Sequence, residues 1–227
     1  MAVSKEEKMR VILDLMERHY AIRVDGREGL QDPFRTLIGC VLSHRTRDEN
    51  SRRAARTLFE AAESPSDILR MDPEELKRRI RCSGFYNQKA RSLRSICQTL
   101  VEEFEGTVPR DRDSLMGLPG VGPKTADIVL SHAFGRPAIA VDVHVATVAR
   151  RLGLVDAEAD PEQVKVALEG LVTPEKYRFV DDAFVRHGKE FCRSRNPKCD
   201  DCFIRGHCEH PQRGDDKYSD DDSVLVV

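Results

Sequence analysis

The sequence predicts an all-α protein, and three observations carry that expectation. Five capping residues stand directly before a proline, at Asp32-Pro33, Ser64-Pro65, Asp72-Pro73, Asp160-Pro161 and Thr173-Pro174. Each sets a side-chain oxygen ahead of a residue whose fixed φ and missing N–H suit the first helical position. No stretch sustains the alternation of a half-buried strand, whereas apolar residues recur at helical spacing. No internal repeat or low-complexity linker interrupts the chain before its acidic end.

About ten short helices of ordinary length follow from this pattern. The first covers residues 6–20, with Met9, Ile12, Leu13 and Met16 as its apolar face. A glycine-containing loop leads to 33–43, and then to 49–61, whose Ala54, Ala55, Leu58 and Phe59 point inward. Short helices from Pro65 and Pro73 precede a turn of helix at 83–87, and a long helix spans 89–105. Helical character at 113–118 and 123–133 flanks Gly120 and Gly122, and in the second stretch Ala126, Val129, Leu130 and Ala133 share one face. Helices at 143–152, 161–171 and 174–188 complete the reading.

Composition bounds the function class. The 227 residues, 40% hydrophobic and without tryptophan, are enough to bury a core in one or two domains. The opening MAVSKEEKMR lacks the apolar core of a signal peptide, and no run of about 18 apolar residues exists to span a bilayer, so a soluble, intracellular protein without membrane contact is expected, cytoplasmic and nucleoid-associated if the source is prokaryotic, and a monomer. The net charge of −2 hides an uneven distribution. Residues 77–94 hold seven basic side chains (Lys77, Arg78, Arg79, Arg81, Lys89, Arg91, Arg94) and no acidic one. Such a block is a phosphate footprint, with Arg78, Arg91 and Arg94 as candidate contacts, or else a solvated helix face. The last 15 residues carry five aspartates against Arg213 and Lys217, and 212–227 is expected to be an acidic, disordered tail.

Chemistry concentrates in residues 118–144, LPGVGPKTADIVLSHAFGRPAIAVDVH. Glycines at alternate positions tolerate φ > 0 and let another backbone come close. Pro123 then starts a helix, so the free N–H groups of Gly120, Gly122 and Lys124 gather at one place, as a phosphate requires. A dinucleotide-binding loop fits poorly, since it needs a preceding strand and a third glycine. Lys124 is either a solvated lysine or, beside a helix N-terminus and partly buried, an amine with enough neutral form to build a Schiff base. Asp142 follows the uncharged run 138–141. It suits the N-cap of the next helix, and a carboxylate held there can also face the lysine.

Seven cysteines in such a chain argue for free thiols plus a metal site rather than a disulfide framework. Cys192-x6-Cys199-x2-Cys202-x5-Cys208 puts four thiols within 17 residues. Such a set is a four-thiolate metal site, iron–sulfur or zinc, although zinc sites usually present two close pairs and here there is one; His207 and His210 are unlikely substitutes. Cys40, Cys82 and Cys97 read as free thiols. Arg186, Lys189, Arg193, Arg195 and Lys198 around the loop suggest that the metal shapes a phosphate-binding surface and does no chemistry, because four cysteine ligands leave no open position.

The run LPGVGPKTA followed by VDVH, with lysine and aspartate 18 positions apart, resembles the helix-hairpin-helix signature of the endonuclease III family of DNA glycosylases, and the cysteine spacing resembles its [4Fe-4S] loop. The resemblance runs from about residue 8 to 210. It implies two helical domains with damaged or abasic double-stranded DNA in the cleft between them. A six-helix barrel would cover 23–136, and a cluster domain would combine 1–22 with 137–211. Lys124 would be the Schiff-base nucleophile and Asp142 its partner, in a bifunctional glycosylase and AP lyase that removes oxidised pyrimidines and cuts the strand by β-elimination.

Two polar stretches, LSHRTRDEN and CSGFYNQKA, would then meet DNA. Arg45 stands where the family commonly has a glutamine that fills the gap of an extruded base, Phe85 stands at a wedge leucine, and Thr147 replaces a usual arginine. Tyr86 reads as core packing. Two other readings remain: a monofunctional thymine or adenine glycosylase, against which Lys124 speaks, as does Gly39 where adenine enzymes carry a glutamate, and a non-enzymatic DNA-binding module with a structural or redox cluster.

Overall fold

A computed structural model describes residues 4–21 and 30–210. Among them, helices are joined by turns and loops and no strand occurs. Eleven α-helices follow in order: α1 (Lys5–Tyr20), α2 (Pro33–Ser43), α3 (Asp48–Phe59), α4 (Pro65–Arg70), α5 (Pro73–Arg79), α6 (Tyr86–Glu103), α7 (Arg112–Gly117), α8 (Pro123–Ile128), α9 (Val143–Arg151), α10 (Pro161–Leu171) and α11 (Tyr177–Glu190).

The capping signals act as the sequence suggests in four of the five cases. Asp32 accepts from the Arg35 amide at 2.7 Å, Asp72 from Glu74 and Glu75, and Ser64 and Asp160 close reciprocal boxes with Asp67 and Gln163. Thr173 makes no cap bond; Pro174–Lys176 forms a 3₁₀ turn, and α11 begins three residues late. Residues 83–85 form no helix, because Phe85 is held at φ 58 and α6 starts only at Tyr86. The expected helix 123–133 also divides: α8 gives way to a π turn, Val129–Ala133, while its apolar face stays buried. Such a turn widens the helix locally and is found frequently at functional sites.

Two hydrophobic cores result. One gathers α2 to α8 around Leu37, Ile38, Leu58, Ile96 and Val129, and the other packs α1 against α9, α10 and α11 around Met9, Ile12, Val148 and Phe184. The apolar run before Asp142 passes from one to the other, with Ala138 in the first and Ile139 and Val141 in the second. Helices α9 and α11 approach so closely that a Cβ at Gly188 would lie 2.6 Å from the His144 Cβ, which locks the start of α9 in place. The expected boundary at 22/23 and the acidic tail 212–227 lie outside the described residues.

Charges also link the two halves. Lys189 Nζ on α11 lies 2.8 Å from Asp48 Oδ2 on α3, and His132 Nε2 in the π turn lies 4.0 Å from Asp181 Oδ2 on α11. Burial, offset in part by His132, pushes the Asp181 carboxyl from 3.8 up to about 6. Between those values the folded state binds more protons than the unfolded state, so this group's contribution to stability falls as pH rises through the window. Asp181→Asn fixes the uncharged shape. Thermal unfolding should therefore match wild type near pH 4 and show a gain of about 1–3 kcal/mol at pH 7; no gain at pH 7 would mean that the buried charge carries no net cost.

Candidate active site and metal centre

The hairpin between α7 and α8 places the lysine. Leu118 and Val121 are buried in the first core and joined by a 3.1 Å bond from the Val121 amide to the Leu118 carbonyl, so the turn cannot swing. Gly120 sits at φ 73, a conformation that a side chain would strain, and Gly122 is the extended N-cap of α8. Pro123 occupies the first helical position, as the sequence suggests, and Lys124 the second.

Asp142 has two tasks divided between its oxygens. Oδ1 caps α9 by accepting from the His144 and Val145 amides at 2.8 and 3.0 Å. Oδ2 lies 3.3 Å from Lys124 Nζ. Its side chain is only 13% exposed while that of the lysine is 49% exposed, so a half-buried, anchored carboxylate holds a lysine that solvent and ligand can reach.

Beside the lysine opens a cleft of about 700 Å³. Arg45, Phe85, Gly120, Gly122 and Lys124, all singled out in the sequence, line it. Arg45 and Phe85 are exposed and stand at φ 49 and 58 on abutting loops, where an added Cβ on Gly84 would lie 3.5 Å from the Arg45 carbonyl. Left-handed backbone at non-glycine residues costs about 1–3 kcal/mol each and gathers at ligand clamps.

Two lining residues escaped the sequence reading. Lys89, counted there only in the basic block, is 6% exposed and donates to the Leu42 carbonyl and Thr46 Oγ1, both at 2.7 Å, thereby closing the end of α2 and holding the Arg45 loop. Burial pushes its ammonium down to about 8. The signal was present, since Lys89, Leu93, Ile96 and Leu100 share one helical face. His44 lies 3.3 Å from Thr125 Oγ1, and burial, followed by the Lys124 and Lys89 charges, keeps its imidazole below the ordinary value.

The basic block is partly paired within the protein. Its counter-charges come from just outside it: Lys77 pairs with Glu74, and Arg78 and Arg79 pair with Glu75. Arg94 donates to the Ile68 and Met71 carbonyls at 3.2 and 3.1 Å, so its guanidinium closes α4 on the side of α6 away from the cleft. Arg91 remains exposed on α6. Tyr86 packs partly buried against the first core, as expected.

The four loop cysteines converge on one cavity with Arg151 and His187. Burial pushes the Cys192 and Cys202 thiols up and the Cys208 thiol up to about 11, so they would stay protonated without a metal. Around them stand donors: Arg151 Nη1 lies 3.4 Å from Cys192 Sγ, and His187 Nε2 lies 3.5 Å from Cys202 Sγ. The buried Arg151 Nε has no partner. An apolar, thiol-lined pocket with a cation and an unpaired N–H suits an electron-rich iron–sulfur group.

Comparison with known proteins agrees with this geometry. The profile described as HhH-GPD superfamily base excision DNA repair protein matches residues 38–174, and that of the iron-sulfur binding domain of endonuclease III matches 192–208, bounded by Cys192 and Cys208. Endonuclease III of Thermotoga maritima is 43% identical over 182 residues, covering 80% of this chain and 85% of the relative. A trapped endonuclease III–DNA covalent intermediate is similar in structure, with a TM-score of 0.83, 35% identity, and coverage of 93% of this chain and 99% of that one. A thermostable thymine-DNA glycosylase gives a TM-score of 0.80 at 25% identity, covering 91% and 97%.

The chain carries a [4Fe-4S] cluster. Purified protein should therefore be brown, with broad absorption near roughly 400 nm, and should contain iron and acid-labile sulfide in equal amounts. Cys202→Ala should lose both, and colourless wild-type protein with stoichiometric zinc would contradict the assignment.

Proposed function

We propose, on the premise that the chain belongs to the endonuclease III family of the HhH-GPD superfamily, that Lys124 and Asp142 carry its chemistry at the mouth of the cleft. The protein is a bifunctional DNA glycosylase and AP lyase of base excision repair. The observation that carries the residue assignment is the 3.3 Å approach of Lys124 Nζ to a half-buried aspartate that caps α9, beside a glycine hairpin and an open cleft.

The steps follow from the groups present. Hairpin amides at Gly120 and Gly122 hold a backbone phosphate of double-stranded DNA. Arg45 and Phe85 enter the duplex while the damaged nucleotide turns out into the cleft. The amine form of Lys124 attacks C1′; the glycosidic C–N bond breaks, the base leaves with its electron pair, and the proton shed by the attacking nitrogen neutralises it. Asp142 stabilises the positive charge that develops on the sugar. Ring opening gives the imine, whose electron demand allows loss of the C2′ proton and of the 3′ phosphate, cutting the strand.

Oxidised pyrimidines are the substrates we infer. The amine at this position favours the lyase over a mismatch-only glycosylase, which would need to activate water instead. Cys192, Cys199, Cys202 and Cys208 hold the cluster, which supplies a structural cross-link; Arg151 directs an N–H group at the Cys192 sulfur, and His187 Nε2 stands beside that of Cys202. The two cores support a barrel domain over 23–136 and a cluster domain made from 1–22 and 137–211. Among the described residues no helix is long and apolar enough to cross a membrane, and we place the protein inside the cell as a monomer.

Borohydride reduces an imine to a stable amine, so wild-type protein should be trapped covalently on abasic or oxidised-pyrimidine duplexes. Lys124→Gln should bind without trapping. Asp142→Asn keeps a capping side chain but loses charge, and should slow base release about 100-fold to 1,000-fold. Base release by Lys124→Gln at the wild-type rate without strand cutting would establish the monofunctional mechanism, and wild-type binding without any reaction would leave a binding module.

The arginines give a separate test. Arg91→Ala should weaken DNA binding at all sequences and lower the salt slope by about one unit, whereas Arg94→Ala should lower stability and leave the slope alone. The reverse pattern would exchange their roles.

A further inference from the structure

The lysine and the aspartate come from different segments, and a charged network away from the cleft connects those segments. Asp127 lies on α8 one turn after Lys124 and is 2% exposed. Its oxygens accept from Arg112 Nε and Nη2 at 3.1 and 3.3 Å, and Lys165 Nζ on α10 lies 3.3 Å from Oδ1. Lys165 in turn lies 2.5 Å from Glu169 Oε1 and 3.4 Å from the Ile139 carbonyl. Glu169 Oε1 also accepts from the Ile139 amide at 3.1 Å. Ile139 is in the run that ends at Asp142. A continuous path of hydrogen bonds thus leads from the helix of the lysine, through α10, to the backbone just before the aspartate.

Geometry at a reacting pair is sensitive, because a misplacement of about 1 Å far from the chemistry can cost 100-fold in rate. Helix α8 is short and ends in a π turn, so its own hydrogen bonds fix it weakly, and Asp142 follows a run that belongs to no helix. Each needs an external reference. We propose that Asp127 and Lys165 are positioning residues that set the distance between Lys124 and Asp142. This rests on the assignment of those two as the reacting pair. Neither Asp127 nor Lys165 lines the cleft, so they contribute through placement alone.

The test uses full-chain protein with its cluster, measuring single-turnover borohydride trapping at saturating abasic duplex, DNA affinity by anisotropy, and thermal unfolding of the same samples. Asp127→Asn can still accept from Arg112 but no longer holds Lys165 by charge, and Lys165→Met removes the bridge. Each should trap about 10-fold to 100-fold more slowly at unchanged DNA affinity. The double variant should be no slower than the slower single one, because both break one device, and Lys165→Arg should restore the rate. Wild-type trapping by folded Asp127→Asn, or a rate loss that parallels lost affinity, overturns the proposal. Should Asp127→Asn fail to fold, Lys165→Met decides alone by the same criteria. Trapping by Lys124→Gln at the wild-type rate would instead remove the reacting pair itself, and the proposal with it, whatever Asp127 does.

Discussion

The structure depends on the division of labour within one carboxylate. Capping α9 takes Asp142 Oδ1, and two backbone amides orient the whole group, leaving Oδ2 aimed at Lys124. A surface aspartate beside a lysine would gain little, since exposed ion pairs contribute about 0–1 kcal/mol and move freely. Here the cap removes that freedom. The helix that Asp142 starts is itself fixed by the close approach at Gly188, so the accuracy of the site is inherited from the packing of α9 on α11.

That inheritance explains why the chain crosses between its cores where it does. Lys124 belongs to the first core through Leu118, Val121 and Val129, and Asp142 belongs to the second through Val145 and Val148. A pair proposed to react from two packed bodies is accurate only if the bodies are held together, and buried or half-buried charges provide the holding: Asp127 with Arg112 and Lys165, and His132 with Asp181. Desolvation makes such pairs poor sources of stability but selective ones, because a shifted partner leaves an unpaired charge behind.

Local rules made much of this legible in the sequence. Prolines after capping residues located α2, α4, α5 and α10, and helical spacing found both core faces, since these depend on neighbours three or four residues away. Lys124, Asp142 and the four cysteines stood out because their chemistry imposes a spacing. The misses share a different cause. The bonds of Arg94 to two carbonyls were invisible because they arise only where α4 folds back on α6. Lys89 looked like one basic residue among seven, yet the end of α2 needed a donor there. Asp127 and Lys165 are 38 positions apart and meet only because α10 packs beside the hairpin. Long-range pairing of charges leaves no periodic trace.

Lys89 and the two left-handed residues also illustrate how the cleft rim is kept rigid. Arg45 and Phe85 adopt a backbone conformation that relaxes if the loops are released, and the buried ammonium of Lys89 grips the loop of Arg45 at Thr46 while Gly84 brings the loop of Phe85 against it. Side chains that enter a duplex must already point outward, because ordering them at the moment of binding would subtract from affinity. Strain in two residues and burial of one ammonium are costs borne by the folded protein alone. For the DNA contacts proposed for Arg45 and Phe85, presenting both rim residues in advance, with Phe85 60% exposed, is what those costs would secure.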